Sequence, residues 1–180
     1  MIIRPSTEAD VEALAAIYGH HVLHGFGTFD EIPPSPADML TRRAAIVALG
    51  LPHLVAEADG RVLGYAYASA YRPRTGYRYT AEDSVYVAPD AIGMGVGRAV
   101  LTEVIRLCEE KGLRQIIAVI GDSGNAASIG LHTALGFEPI GAVKNVGFKH
   151  GRWVDTYLMQ LSLNGGATVP PDNPGLKLGG

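Results

Sequence analysis

Between Asp90 and Val100 the chain reads D-A-I-G-M-G-V-G-R-A-V, three glycines at alternate positions running into a helical pattern. This stretch restricts the fold most, because a strand, a glycine turn and a helix must follow one another within it. Such a turn bares backbone N–H groups to a phosphate, and the dipole of the helix behind it adds positive potential. The ligand is then a dinucleotide, a nucleoside triphosphate or another pyrophosphate carrier such as coenzyme A; a flexible turn that binds nothing is the competing reading. The dinucleotide fingerprint G-x-G-x-x-G/A fails in both frames. From Gly93 its last position is Arg98, from Gly95 it is Val100, and the acids that follow, Glu109 and Glu110, still lie in the helical pattern. No G-K-[ST] follows the glycines, so the P-loop fails as well.

The rest of the chain sets the frame for that turn. With 180 residues, 47% of them hydrophobic, it can bury one compact core. A net charge of −3 without a dense Lys/Arg cluster argues against nucleic acid or an anionic membrane as partner. No apolar stretch approaches the roughly 20 residues that span a bilayer, and Met1 to Asp10 has no apolar core of a signal peptide. The single cysteine, Cys108, excludes an internal disulfide framework, and a cytoplasmic protein is expected.

Pattern and punctuation predict the elements in turn. A short strand at Ile2–Arg4 leads to Thr7 and Asp10 in capping-box spacing and a helix to about Leu23. Ser35–Pro36 opens a second helix to about Leu49, and Asp59–Gly60 joins strands His53–Ala58 and Arg61–Ala70 into a hairpin. A strand at Ala81–Val87 enters the glycine turn. The helix after it places Val96, Val100, Leu101, Val104, Ile105 and Cys108 on one face. Gln115–Ile120 reads as a strand, Asn125–Leu135 as a short helix stopped by Gly136, and two strands fall within Phe137–Val146 and Trp153–Leu163. This order predicts an α+β fold, a mixed and mostly antiparallel sheet of about seven strands with four helices on its faces. Residues 1–163 form the domain. Residues 164–180, with few apolar anchors, are expected to be a flexible tail.

A pyrophosphate cradle without either nucleotide fingerprint, between a mid-chain strand and an amphipathic helix, points to acyl-coenzyme A. The stretch resembles the acyl-CoA loop Q/R-x-x-G-x-G/A of the GNAT acyltransferase superfamily, with a three-layer α/β/α-like fold. Aligned on Gly95–Val96–Gly97, the Q/R place is held by Ile92, a departure that leaves a side-chain contact to phosphate either missing or supplied by Arg98. Further stretches, T-F-D-E-I-P-P-S-P, T-A-E-D-S-V-Y-V-A-P-D, V-I-G-D-S-G-N-A-A-S, L-H-T-A-L-G-F and G-F-K-H-G-R-W-V-D, are similar to the branch that N-acetylates phosphinothricin, methionine sulfoximine and methionine sulfone. The resemblance runs from Ile2 to Leu163. It implies acetyl-CoA as acetyl donor and a small amino-acid-like amine as acceptor.

Acetyl transfer from a thioester to an amine requires an uncharged nucleophile, a polarised carbonyl and a proton for the thiolate. Glu82 is the candidate base. Strand alternation puts it with Ser84 and Tyr86 on one face, opposite Asp83, Val85 and Val87, and the resemblance matches it to the family's base; a solvated carboxylate at a strand end is the competing reading. The resemblance further assigns the backbone of Val85, Tyr86 and Val87 to the thioester and pantetheine, and Gly93, Met94, Gly95, Val96, Gly97 and Arg98 to the phosphates. It places His132 where many members carry a tyrosine for the leaving thiolate, as acid, base or structural residue. Asn125 and Ser128 bond the cofactor or cap the helix.

For the acceptor, Arg72 and Arg74 offer guanidinium contacts to a carboxylate, with Thr75, Gly76 and Tyr77 adding loop contacts; solvated loop arginines are the alternative. Phe29 and Glu31 line the acceptor pocket by the resemblance. The late hairpin implies a homodimer, with Phe148 or Lys149 reaching toward the neighbouring site. No metal is expected, because His20 and His24 lack the glutamate of H-E-x-x-H. Cys108 reads as a core thiol, and transfer is direct. Another small amine, a polyamine, a protein N-terminus, or a non-catalytic acyl-CoA sensor are the alternatives to this function.

Overall fold

The computed structural model describes residues 1–179. The chain runs β1 (Ile2–Pro5), α1 (Val11–His24), α2 (Pro36–Ala48), β2 (His53–Ala58), β3 (Arg61–Ala70), β4 (Thr80–Val87), α3 (Val96–Glu110), β5 (Gln115–Gly121), α4 (Ala126–Ala134), β6 (Glu138–Lys149) and β7 (Arg152–Ser162), with single 3-10 turns at Glu8–Asp10, Thr75–Tyr77 and Pro89–Ala91. The strands form one seven-stranded sheet in the order β1-β2-β3-β4-β5-β7-β6. The expected α+β architecture and its element order are observed.

Local chemistry accounts for most element boundaries. Ser35 caps α2, its hydroxyl accepting from Asp38 N–H while Asp38 returns a bond to Ser35 N–H, with Pro36 at the first helical position. Asp59 and Gly60 both hold positive φ, 51° and 75°, the turn that matches the right-handed twist of a two-residue hairpin. The apolar stripe of α3 is buried as predicted at Val96, Val100, Leu101, Val104 and Cys108. Alternation on β4 sends Tyr86 to the α1 side, where its ring centroid lies 4.9 Å from that of Tyr18, and sends Asp83 to the α4 side, where it meets His132.

One irregularity of the sheet positions everything that follows. β4 and β5 are the parallel pair, and their pairing covers only Thr80↔Gln115 to Asp83↔Ala118. Beyond it β4 stays bonded to β3 as far as Val87, and β5 stays bonded to β7 as far as Gly121. The two strands therefore part into a wedge whose closed end lies at Asp83 and Ala118.

The segment from Asn164 onward, expected to be a flexible tail, is instead docked. Residues 164–179 carry no helix or strand, but Leu176 is buried at 3% exposure and Leu178 packs on the core. Leu176 N–H donates to Arg78 O at 2.8 Å, and Tyr79 Oη donates to Asn173 O at 2.5 Å. The buried Arg114 guanidinium donates to the carbonyls of Asn164, Gly166 and Pro170. Composition missed this because the tail's anchors are main-chain carbonyls, which any sequence supplies. Deleting residues 165–180 leaves that guanidinium short of partners and is expected to cost about 2–4 kcal/mol in denaturant unfolding. An unchanged midpoint would show that the segment contributes nothing to stability.

Candidate active site

The wedge opens into a cavity of about 610 Å³ bounded by β4, β5, the glycine turn, the start of α3, α4 and the loop after α1. Gly93 and Gly95 hold φ of +83° and +79°, left-handed conformations that an ordinary side chain resists. Gly97 holds no left-handed φ, and a Cβ there meets only ordinary contacts. It sits in the first turn of α3, and a Cβ there would lie 3.4 Å from Leu131 Cδ2 and 3.5 Å from Val87 Cγ2, at the wall of the cavity. No side chain caps the α3 N-terminus, so its first N–H groups remain available to an anion.

The free edge of β4 follows from pairing parity. Thr80 O accepts from Tyr71 N–H and Ala88 N–H donates to Leu63 O, so even-numbered residues of β4 direct their main-chain groups to β3. Odd-numbered Val85 and Val87 then direct theirs into the wedge. The Val87 carbonyl is already engaged, because His21 Nε2–H donates to it at 2.9 Å. Burial lowers the His21 pKa, and the bond to Val87 O opposes that shift. The remaining main-chain groups of Val85 and Val87 suit the amides of an extended ligand laid along the strand.

At the closed end Asp83 and His132 form a buried pair, His132 Nε2 standing 2.9 Å from Asp83 Oδ2. His132 Nδ1–H donates to Ser128 O at 2.7 Å. Burial lowers the His132 pKa, but the bond and charge of Asp83 and the Ser128 carbonyl together outweigh it, and the net direction is upward. Asn125 spends its Oδ1 on capping α4, accepting from Ser128 N–H at 3.2 Å. Nearby, burial pushes the Cys108 thiol up to about 12, which leaves it protonated and inert.

The structure brings together most of the residues expected at the cofactor: Val85, Tyr86, Val87, Gly93, Gly95, Val96, Gly97, Arg98, Asn125, Ser128 and His132 all line the cavity. Met94 does not. Its side chain is 64% exposed and outside the lining, because the left-handed glycines on either side turn it outward. Ile92 lines the cavity and offers no polar side-chain atom, so any anion there meets main chain.

The expected acceptor residues stand outside this cavity. Glu82 is half-buried on β4, on the face opposite Asp83 and outside the lining; burial raises its pKa, the neighbouring Asp83 charge adds to the rise, and Arg72 opposes it. Arg72, Arg74, Thr75, Gly76 and Tyr77 lie on an exposed loop, with the Arg72 guanidinium 5.1 Å from the Tyr71 ring centroid. Phe29 packs onto Gly147 of β6, and Glu31 is exposed. Lys149 does not reach outward. It is 1% exposed, and its Nζ donates to Thr28 O of the same chain at 2.7 Å, which anchors β6 to the loop after α1.

Sequence reasoning missed Asp83, His21, Phe26 and Gly121 as cavity residues. Gly121 carried a signal of its own, a glycine ending a β-rich run. A Cβ there would run into the Phe26 carbonyl, which crosses the end of β5. Among the described residues there is no cluster of three or more His, Cys, Asp or Glu suited to a metal ion, and no helix long and apolar enough to cross a membrane.

Residues 22–137 match the Acetyltransferase (GNAT) family. A phosphinothricin N-acetyltransferase from Alcaligenes faecalis is 55% identical over 170 residues, 94% of this chain and 86% of that protein. An L-methionine sulfoximine/L-methionine sulfone acetyltransferase from Pseudomonas aeruginosa is 42% identical over 172 residues, 93% of this chain and 98% of that one. Among solved structures, a GNAT superfamily phosphinothricin acetyltransferase from Sinorhizobium meliloti, in complex with AcCoA, gives a TM-score of 0.92 at 46% identity, covering 96% of this chain and 93% of its own. The wedge, the glycine cradle and these relatives agree: the chain belongs to the GNAT acetyltransferase family and is an acetyl-CoA-dependent N-acetyltransferase.

Proposed function

We propose that the acceptor is a small α-amino acid with a polar tail, of the phosphinothricin, methionine sulfoximine or methionine sulfone kind. The observation that carries this reading is Glu82, a half-buried carboxylate with a raised pKa on β4 that feels the charge of Arg72 from the exposed loop that also bears Arg74. The names of the two relatives above support it.

In this reading the acetyl-CoA pyrophosphate lies on the N–H groups at the start of α3, with Arg98 beside it, and the pantetheine runs along Val85 and Val87. The acceptor carboxylate pairs with Arg72 and Arg74, while Thr75, Gly76, Tyr77, Phe29 and Glu31 shape its surroundings. Glu82, directly or through water, takes a proton from the ammonium, and the free amine attacks the thioester carbonyl. A β4 N–H stabilises the oxyanion. The C–N bond forms, the C–S bond breaks, the nitrogen gives its second proton to solvent as it becomes the amide, and the thiolate leaves toward the end of the wedge that His132 lines.

The acceptor class is tested by kcat/KM with acetyl-CoA for phosphinothricin, methionine sulfoximine, methionine sulfone, ordinary amino acids and the same amines without a carboxylate. Loss of the carboxylate is expected to lower kcat/KM by about 10²-fold, the size of a charge-assisted contact. Equal rates for acids and simple amines would remove Arg72 and Arg74 from the reading.

The functional unit is proposed to be a homodimer. β6 closes one edge of the sheet, and Ile140, Val143, Val146 and Phe148 on it, with Trp153 of β7, form an exposed apolar surface. Light scattering is expected to give twice the chain mass for the protein and a shift toward the chain mass for Trp153→Asp. A monomer at micromolar concentration would refute the assembly.

A further inference from the structure

We propose that Asp83 is a positioning residue for acetyl transfer: paired with His132, it fixes a doubly protonated imidazolium at the closed end of the wedge, where that cation stabilises the departing thiolate. This rests on the proposed reading of the reaction and extends it to a residue that the sequence patterns left on the wrong face for catalysis.

The geometry is specific about protons. His132 Nδ1 faces the Ser128 carbonyl at 2.7 Å, and a carbonyl only accepts, so Nδ1 carries a hydrogen. Nε2 faces Asp83 Oδ2 at 2.9 Å, and the second ring proton is assigned here in the proposal, as Nε2–H donating to the carboxylate. Both ring nitrogens thus meet acceptors, the arrangement that selects the cation. The pair is almost wholly enclosed, with side-chain exposures of 3% for His132 and 1% for Asp83, so solvent screens it little.

The surroundings add no competing charge partner for the ring. Phe137 stands edge-on to it, with centroids 4.9 Å apart, and Ser128 Oγ lies 3.4 Å from Nδ1. From α3 the protonated Cys108 thiol feels the charge of Asp83, and from β4 the Glu82 carboxyl feels it too. Asp83 Oδ1 is buried and has no hydrogen-bond partner among the described residues, so the carboxylate keeps an acceptor in reserve beside a cavity that both residues line.

This placement sets what the pair does in the reaction. With both N–H groups engaged, His132 acts through its charge and hands over no proton. As the C–S bond breaks, the electron pair stays on sulfur and the imidazolium offsets it; the nitrogen sheds its second proton to solvent as it becomes the amide, the thiolate takes one from solvent, and Glu82 returns to solvent the one it took from the ammonium. The sign of the pH dependence follows: the contribution is present while the ring is doubly protonated and is lost as pH rises through its raised pKa.

Asp83→Asn tests this with little change of shape. The amide can donate to Nε2, so the bond and the packing persist while the carboxylate charge is removed and a neutral ring is favoured. NMR of the His132 ring is expected to show two N–H protons at neutral pH in the wild type and one in the variant. The alkaline limb of kcat is expected to move down by about one pH unit or more, and KM for acetyl-CoA to stay within about twofold. A wild-type ring with one N–H at neutral pH, or a variant whose kcat profile superimposes on the wild type, would overturn the assignment. If Asp83→Asn does not fold, the wild-type spectrum alone decides the ionisation and Asp83→Glu, which restores the charge, decides the rate. Absence of turnover with every amine would instead count against the acceptor reading, with the NMR result unaffected.

Discussion

Replacing Glu82 by Gln is expected to lower kcat by about 10²- to 10⁴-fold at neutral pH, the range for loss of a general base. Gln keeps the size and hydrogen-bonding reach of the side chain but cannot take a proton. Burial raises the Glu82 pKa above that of an ordinary glutamate, with Asp83 adding and Arg72 opposing. Wild-type kcat therefore climbs as pH rises through that raised value, and the variant loses this acidic limb. KM for acetyl-CoA stays near wild type, because Glu82 lies outside the cavity between β4 and β5. A variant with full kcat and an unaltered acidic limb would remove Glu82 from the chemistry.

The second large effect concerns the other substrate. Gly97→Leu is expected to raise KM for acetyl-CoA by about tenfold or more while leaving thermal stability equal or higher. Leucine is the better helix former by about 0.5–1 kcal/mol, and Gly97 has no left-handed φ that a side chain would strain. The new side chain has room only in the cavity, since Leu131, Val87 and Val85 bound the other directions at 3.4, 3.5 and 3.7 Å from a Cβ. Gly97→Ala places only an ordinary contact there, so its effect is small. Titration of acetyl-CoA by calorimetry distinguishes the two. If Gly97→Leu binds acetyl-CoA like the wild type, the cofactor does not cross this helix turn.

Where the fold was legible in the sequence, the cause was local. The Asp59–Gly60 turn requires positive φ at two adjacent residues, and the Ser35–Pro36 start of α2 requires a cap within three residues. The stripe of α3 repeats within one helix, so its burial could be read without any partner. The cradle was legible for the same reason. Contacts between distant residues were not. Asp83 and His132 are 49 positions apart, and Lys149 and Thr28 are 121 apart; no periodicity records either pairing. Lys149 is turned inward, its ammonium donating to the Thr28 carbonyl, and position alone could not disclose that. The tail misled for a related reason, since its anchors are backbone carbonyls around Arg114 and a single buried Leu176.

The parting of β4 and β5 was equally silent, although it makes the site. Each strand has an ordinary sequence, and the wedge arises because β4 follows β3 while β5 follows β7. Its consequence is chemical: one free strand edge, one helix start and the buried Asp83–His132 pair face the same cavity.

The most direct test of the account is a chromatographic balance of products after incubation of the protein with acetyl-CoA and phosphinothricin or methionine sulfoximine. Direct transfer to the amine predicts N-acetylated acceptor and free coenzyme A thiol in equal amounts, with no acetyl group left on the protein. Thiol released without N-acetylated product, or an acetylated protein that accumulates before product, would contradict it.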